Sequence, residues 1–222
     1  MERIVEKVKT NYKEIALRLL FLLSIGGLTK IYVILNNYRG KVYHLKTALD
    51  TIIPFNKYFV VPYLYWYIYM AVVFVYFAVT DGKKYFKLLS GIIIGMALCF
   101  VIYYFFPTTV PRPLLKGDDI FIKAVNFIYK RDNPYNCFPS IHVLDSFLAA
   151  VYINREENIS YKLKITSSVI SFSIILSTLF IKQHYVYDAL SAMVLAYIMY
   201  YSLNYAAIVE KIRQKTSIEI NE

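Results

Sequence analysis

Residues 88–106, LLSGIIIGMALCFVIYYFF, run for 19 residues without a charge and stop at Pro107. As a helix rising 1.5 Å per residue, such a run covers roughly 28 Å, close to the ~30 Å hydrocarbon core of a bilayer. It is read as a membrane span. Working outward, residues 59–79 are again uncharged, with Pro62 near their start, and Asp81-Gly82-Lys83-Lys84 makes a tight polar turn between the two runs. Residues 165–181 carry serines and threonines but no charge, and the only acid in 185–209 is Asp188. A first span is expected over 16–35, flanked by Arg18 and by Lys30, which can snorkel to the interface. A short fourth span is expected to begin at Ser140. The chain is thus expected to be all-α, a polytopic membrane bundle of about six transmembrane helices.

Composition agrees. The chain is 58% hydrophobic with a mean hydropathy of +0.46, and 18% of its residues are charged. A soluble domain carries about 25% charged residues. The 23 tyrosines and 15 phenylalanines suit aromatic belts at the two interfaces. The net charge of +10 does not point to nucleic acid, because the basic residues fall in short loops between spans, where topology and anionic headgroups call for them. Cys99 and Cys137 form neither a CxxC pair nor a disulfide framework and are read as packing residues.

Residues 1–15 hold Arg3, Lys7, Lys9 and Lys13 among apolar residues near helical spacing. They are read as an amphipathic segment on the membrane surface and not as a cleaved signal peptide. The charged tail beyond the last span is expected to fray. With six spans both termini share one side, which holds 13 Lys and Arg against 10 on the other, or 8 without Arg112 and Lys182. The positive-inside rule makes the termini cytoplasmic. The loops at 36–58, 107–139 and 182 then face outward. No linker or internal repeat divides the chain, so 1–222 is read as a single domain.

The outer loops hold the chemistry. In 107–139, Pro111-Arg112-Pro113 pins an extended segment, and the apolar spacing of 119–130 predicts a short interfacial helix. Then Pro139-Ser140-Ile141-His142 enters span four, and Lys182-Gln183-His184-Tyr185-Val186-Tyr187-Asp188 enters span six. Ionisable groups at membrane entries are costly and mark functional sites. Read alone, each is bland: Pro-Ser is a helix start, His184 and Asp188 a hydrogen-bonded pair, Arg112 a headgroup anchor. Together, at one face, they suit phosphoryl transfer through a covalent histidine. If the last span is helical from about 183, His184 and Asp188 share a face. Asp188 would hold the Nδ1 proton of His184 and free Nε2 to attack phosphorus. Arg112 offers a fork for phosphate oxygens, Ser140 a hydrogen bond, and Lys182 and Lys116 further positive charge. His142 would protonate the leaving oxygen, and Asp145, three residues on, could orient it. No zinc-ligand spacing is present and the chemistry requires no cofactor.

The ordered set Arg112-Pro113, Pro139-Ser140-x-His142 and Ser177 followed by His184-x-x-x-Asp188 resembles the type-2 phosphatidic acid phosphatase superfamily, whose pattern is KxxxxxxRP, PSGH and SRxxxxxHxxxD. The resemblance spans 105–188. It implies His184 as nucleophile, Asp188 as its partner, His142 as acid, and Arg112 and Ser140 as phosphate ligands. Three positions depart: Phe105 stands for the first lysine, Ile141 for the glycine and Thr178 for the second arginine. The forms Cys-Phe-Pro-Ser-Ile-His-Val and Lys-Gln-His-Tyr-Val-Tyr-Asp look closer to the inositol phosphorylceramide synthase-like branch, which moves a phosphorylated headgroup to a lipid hydroxyl. The expected function is a membrane phosphatase or phosphotransferase acting on lipid phosphates, phosphodiesters or isoprenoid pyrophosphates from the bilayer. The alternative is a non-catalytic headgroup binder or transporter with the same cationic cleft. A bacterial plasma membrane, with the site on the outer face, is the expected location.

Overall fold

The computed structural model describes residues 2–219, with side chains over 6–210. Among these, nine α-helices follow one another: α1 (Glu2–Leu20), α2 (Leu23–Leu35), α3 (Ala48–Ile52), α4 (Val60–Thr80), α5 (Gly82–Phe105), α6 (Ile120–Arg131), α7 (Ile141–Asn154), α8 (Tyr161–Phe180) and α9 (Val186–Glu219). Five stretches are long and apolar enough to cross a membrane: Glu6–Leu35, Lys57–Thr80, Gly82–Phe105, Tyr161–Phe180 and Val186–Glu210. The protein is an all-α membrane bundle. The sixth, α7, has 14 residues, about 21 Å of helix. It is short because Pro139 opens it late and it ends at Asn154.

The segment expected at 1–15 is helical from Glu2, and non-helical dihedrals at Asn11 kink it away from the part of α1 that leads into the first span. Basic residues tie α1 to α4. Lys7 donates to the Thr80 carbonyl (3.3 Å) and Arg18 to the Ala78 carbonyl (2.7 Å), so α1 caps the C-terminal end of α4. The interfacial helix appears as α6, started by Asp119, whose carboxylate accepts the Phe121 and Ile122 amides. Lys57 pairs with that carboxylate and holds its pKa below the usual range, its hydrogen bond being the largest cause. Helix α9 continues through the charged tail to Glu219, and residues 220–222 lie outside the described residues.

Short α7 is the axis. It packs against α4, α5, α8 and α9, and ten of its residues are buried, from Val143 to Ile153. Lipid tails are as apolar as leucine, so close packing and interhelical hydrogen bonds hold such a bundle together. Ser171 donates to the Ser146 carbonyl (3.0 Å), and Tyr69 and Ser167 share a bond of 2.8 Å. The approach of α5 to α7 needs Gly95, where a Cβ would lie 2.7 Å from Leu144 Cδ2. Gly95→Val should therefore lower the melting midpoint of the detergent-extracted protein, overpacking costing about 1–3 kcal/mol. Gly26→Val, with nothing within 4 Å of its Cβ position, should leave that midpoint nearly unchanged.

At the end where α4 and α9 begin and α5 and α8 finish, extended segments are stitched together. Tyr43 N–H donates to the Pro107 carbonyl (2.8 Å), Thr109 N–H to that of Tyr43 (3.0 Å), and Asn136 N–H to that of Thr108 (2.9 Å). Thr108 Oγ1 accepts the amides of Cys137 (3.0 Å) and Phe138 (2.9 Å). The arginine segment and the Pro-Ser-x-His segment are thereby fixed to each other before α7 starts.

Candidate active site

His184 does not sit in a helix. Lys182 takes a left-handed φ of 54°, and the amides of Gln183 and His184 both donate to the Thr178 carbonyl at 2.9 and 3.1 Å, which ends α8. Helix α9 starts only at Val186. The expected i, i+4 pair on one helical face is corrected accordingly: His184 precedes the helix, and Asp188 belongs to its first turn. There Asp188 Oδ2 accepts the Tyr185 amide (2.8 Å), as an acidic group in a helix's first turn does.

The nearest partner of His184 Nδ1 is the Cys137 carbonyl at 2.9 Å, with Asp188 Oδ2 at 3.5 Å. A carbonyl only accepts, so Nδ1 carries the proton and Nε2 keeps its lone pair. The tautomer is the one a nucleophile needs, but the backbone of the Pro-Ser-x-His segment holds it, with Asp188 a longer electrostatic neighbour. Asp188 is almost fully buried, and its Oδ1 has no partner among the described residues.

His142 is the second residue of α7. Its ring lies 4.7 Å from that of Tyr63, 4.8 Å from that of Trp66 and 6.4 Å from that of His184, centre to centre. Asp145 makes no hydrogen bond to it among the described residues. That carboxyl lies a turn deeper in the core, near Cys99 of α5, with Oδ1 unpartnered. The rings His142 packs against, Tyr63 and Trp66, both belong to α4.

Ser140 is the N-cap of α7; its Oγ accepts the Val143 amide (3.4 Å) and its own amide donates to the Asp188 carbonyl (3.1 Å). This backbone bond ties the two motifs directly. The amides of Ile141 and His142 have no acceptor among the described residues, and they form the positive end of α7. Arg112 Nη1 donates to the Lys182 carbonyl (2.7 Å), its guanidinium lies 4.9 Å over the Tyr129 ring, and its buried Nε is unpartnered. Tyr129 OH donates to the neighbouring Ile181 carbonyl (2.6 Å).

The two tentative cations are not brought in. Lys182 turns its ammonium to the Asp50 and Ile53 carbonyls at the end of α3, where a cation suits exposed carbonyls. Burial lowers its pKa, with Asp50 opposing. Lys116 is exposed in the loop before α6. Phe105 points outward, 75% exposed, and Thr178 is fully buried with its hydroxyl on the Ile175 carbonyl, so neither position offers a charge.

Sequence reasoning missed Asp50, whose carboxylate accepts the Val186 amide at 2.8 Å. The signal was present as Thr47-x-x-Asp50, a capping-box spacing, and the structure has that box.

Compared with protein families, the chain matches the model of the PAP2 superfamily over residues 44–202. The chain belongs to the PAP2 superfamily. Comparison with curated proteins and with solved structures returns no match. PAP2 members are generally phosphatases or phosphotransferases, in keeping with a pair of histidines, an arginine and a helix N-terminus gathered at one end of the bundle. The PAP2 match contains all the site residues above, from Asp50 to Asp188, and leaves α1 and α2 outside it.

Proposed function

We propose that the protein transfers a phosphoryl-bearing group from a lipid through a phosphohistidine on His184. The observation that carries this is the facing pair of imidazoles: His184 with Nδ1 occupied and Nε2 free, and His142 across a 6.4 Å ring separation. Nε2 of His184 attacks phosphorus and the bond to the leaving oxygen breaks, while His142 gives that oxygen a proton. A second hydroxyl, from water or an alcohol, then gives its proton to His142 and attacks phosphorus, and the histidine–phosphorus bond breaks. Arg112, Ser140 and the free amides of α7 hold the non-bridging oxygens.

Charge favours a phosphodiester as the donor. With Lys182 committed to α3, Arg112 is the permanent cation at the site among the described residues, joined by His142 only while it holds the proton it donates, against the about −1.5 to −2 of a phosphomonoester. A diester carries a single negative charge. This supports the headgroup-transferring, inositol phosphorylceramide synthase-like reading over plain phosphatase action. The test is product analysis with the protein in bilayer discs, offered radiolabelled phosphatidic acid and a labelled glycerophospholipid, with and without a long-chain alcohol or diacylglycerol. Label appearing on the alcohol, from the diester in preference to the monoester, is the expected result. Free phosphate from phosphatidic acid regardless of acceptor would instead make the protein a phosphatase. Absence of any turnover would favour the headgroup binder, the reading that the uncharged Phe105 and Thr178 positions support.

The distribution of Lys and Arg supports an outer-face site, and the Ile-, Lys-, Tyr- and Asn-rich composition supports a bacterial plasma membrane. Both native cysteines are buried, so Lys116→Cys gives a clean reporter. An impermeant thiol reagent should label it in intact cells; labelling only in inverted vesicles would reverse the orientation.

A further inference from the structure

Helix α3 contributes one buried residue, Asp50, and exposes Leu49 and Ile52. It adds almost nothing to the core, yet its hydrogen bonds bracket the nucleophile. Asp50 Oδ1 accepts the Val186 amide at 2.8 Å, two residues after His184. Oδ2 accepts the amide and the hydroxyl of Thr47, both at 2.7 Å, which fixes the carboxylate's rotation. Two residues before His184, the Lys182 ammonium donates to the Asp50 and Ile53 carbonyls. A little further back, the Asn56 amide donates to the Phe180 carbonyl at 3.0 Å. The turn that carries His184 is thus fastened on both sides to residues 50–56.

We propose that Asp50 is a positioning residue for the transfer reaction: through the Val186 amide, with Lys182 closing the other side, it sets where His184 Nε2 points. This rests on the reading of His184 as nucleophile. The physical reason lies in the first turn of α9, whose leading amides have no partner within the helix. Asp188 Oδ2 takes the Tyr185 amide and Asp50 Oδ1 takes that of Val186. Two carboxylates therefore divide the work. Without Asp50, the Val186 amide competes for Asp188, whose Oδ1 has no partner among the described residues. Turning Asp188 to serve Val186 draws Oδ2 away from its place 3.5 Å from His184 Nδ1. The left-handed backbone at Lys182 also loses its outside hold when the ammonium has no carbonyls to meet. Displacing a reacting atom by about 1 Å costs on the order of 100-fold in rate, while Arg112 keeps its stacking on Tyr129 and Ser140 its bond from the Val143 amide, both outside the turn.

The test joins kinetics with hydrogen–deuterium exchange on the full chain in bilayer discs. Asp50→Ala should lower kcat about 100-fold and change KM by no more than about threefold, because uniform binding is retained. Asp50→Asn keeps an acceptor for the Val186 amide and should recover kcat to within about tenfold of the wild type. Amides of 184–188 should exchange faster in Asp50→Ala, with α5 and the middle of α8 unchanged. Faster exchange throughout would mean global loosening; Asp50→Asn and Lys182→Met, the latter expected to speed exchange at 182–188 alone, then decide. Wild-type kcat with unchanged exchange at 184–188, or a loss confined to KM, would overturn the proposal while leaving His184 as nucleophile. If the wild-type chain turns over no substrate, the phosphoryl-transfer reading fails. The exchange data still decide then whether Asp50 holds the turn.

Discussion

His184→Ala should abolish turnover, with kcat falling by at least about 10⁴-fold and toward the ~10⁶ seen when a covalent nucleophile is removed. The size follows from the proposed route. The other imidazole, His142, is occupied with the proton of the leaving oxygen, and Arg112 serves the phosphate oxygens, so neither replaces the attacking Nε2. The protein should remain folded, because the His184 side chain contributes one hydrogen bond, to the Cys137 carbonyl. Loss of such a bond costs roughly 0.5–1.5 kcal/mol net, small beside the catalytic effect. Lipid binding should persist, since Arg112 and the α7 amides are untouched. A variant that binds labelled phospholipid as the wild type does and does not turn it over separates chemistry from recognition. Residual turnover within tenfold of wild type would remove His184 from the reaction.

His142→Gln is the second large effect, about 10²–10⁴-fold in kcat, the usual range for a general acid. Its particular signature is dependence on the leaving group. A substrate that releases an alkoxide needs a proton in the transition state, whereas p-nitrophenolate leaves without one. The defect in the first-turnover release of the leaving group should therefore shrink to less than about tenfold on a p-nitrophenyl phosphodiester, whereas the second step still needs His142 as base. Tyr63 and Trp66 hold the ring at 4.7 and 4.8 Å, so glutamine keeps most of the packing and the variant tests the proton. Trp66 is the chain's single tryptophan, and unchanged fluorescence would report that the pocket wall has not moved. A defect of equal size on both leaving groups would instead assign His142 to binding or packing.

Much of this architecture can be read from residue types, and the unreadable part has a common physical origin. The spans at 59–79 and 88–106 are legible because burial in lipid forbids charges, and such runs are unmistakable. Arg112, Ser140, His142, His184 and Asp188 are legible because ionisable groups at a membrane entry need a reason. The structure brings all five to one end of the bundle. What the sequence hides is which partner each group takes. His184 Nδ1 meets a backbone carbonyl, and a carbonyl has no residue signature. Lys182 neighbours His184 in the chain, yet a left-handed turn sends its ammonium to the end of α3, so proximity in sequence misleads. Asp145 lies one turn from His142, but its place in the core belongs to the α5 contact, and His142 packs against aromatic rings of α4. The 1–15 segment reads as surface-seeking from its basic residues, and one of them, Lys7, together with Arg18 further along α1, meets the carbonyl end of α4.

The phosphoenzyme itself is the most direct evidence to seek. Wild-type protein in bilayer discs is mixed with a ³²P-labelled lipid phosphodiester, quenched in base within a turnover, digested and sequenced by mass spectrometry. The expected result is an acid-labile, base-stable label on the peptide carrying His184, absent from His184→Ala and accumulating when the acceptor alcohol is withheld. Turnover with no label on any histidine under those conditions, or label on His142 instead, would contradict a transfer carried by His184.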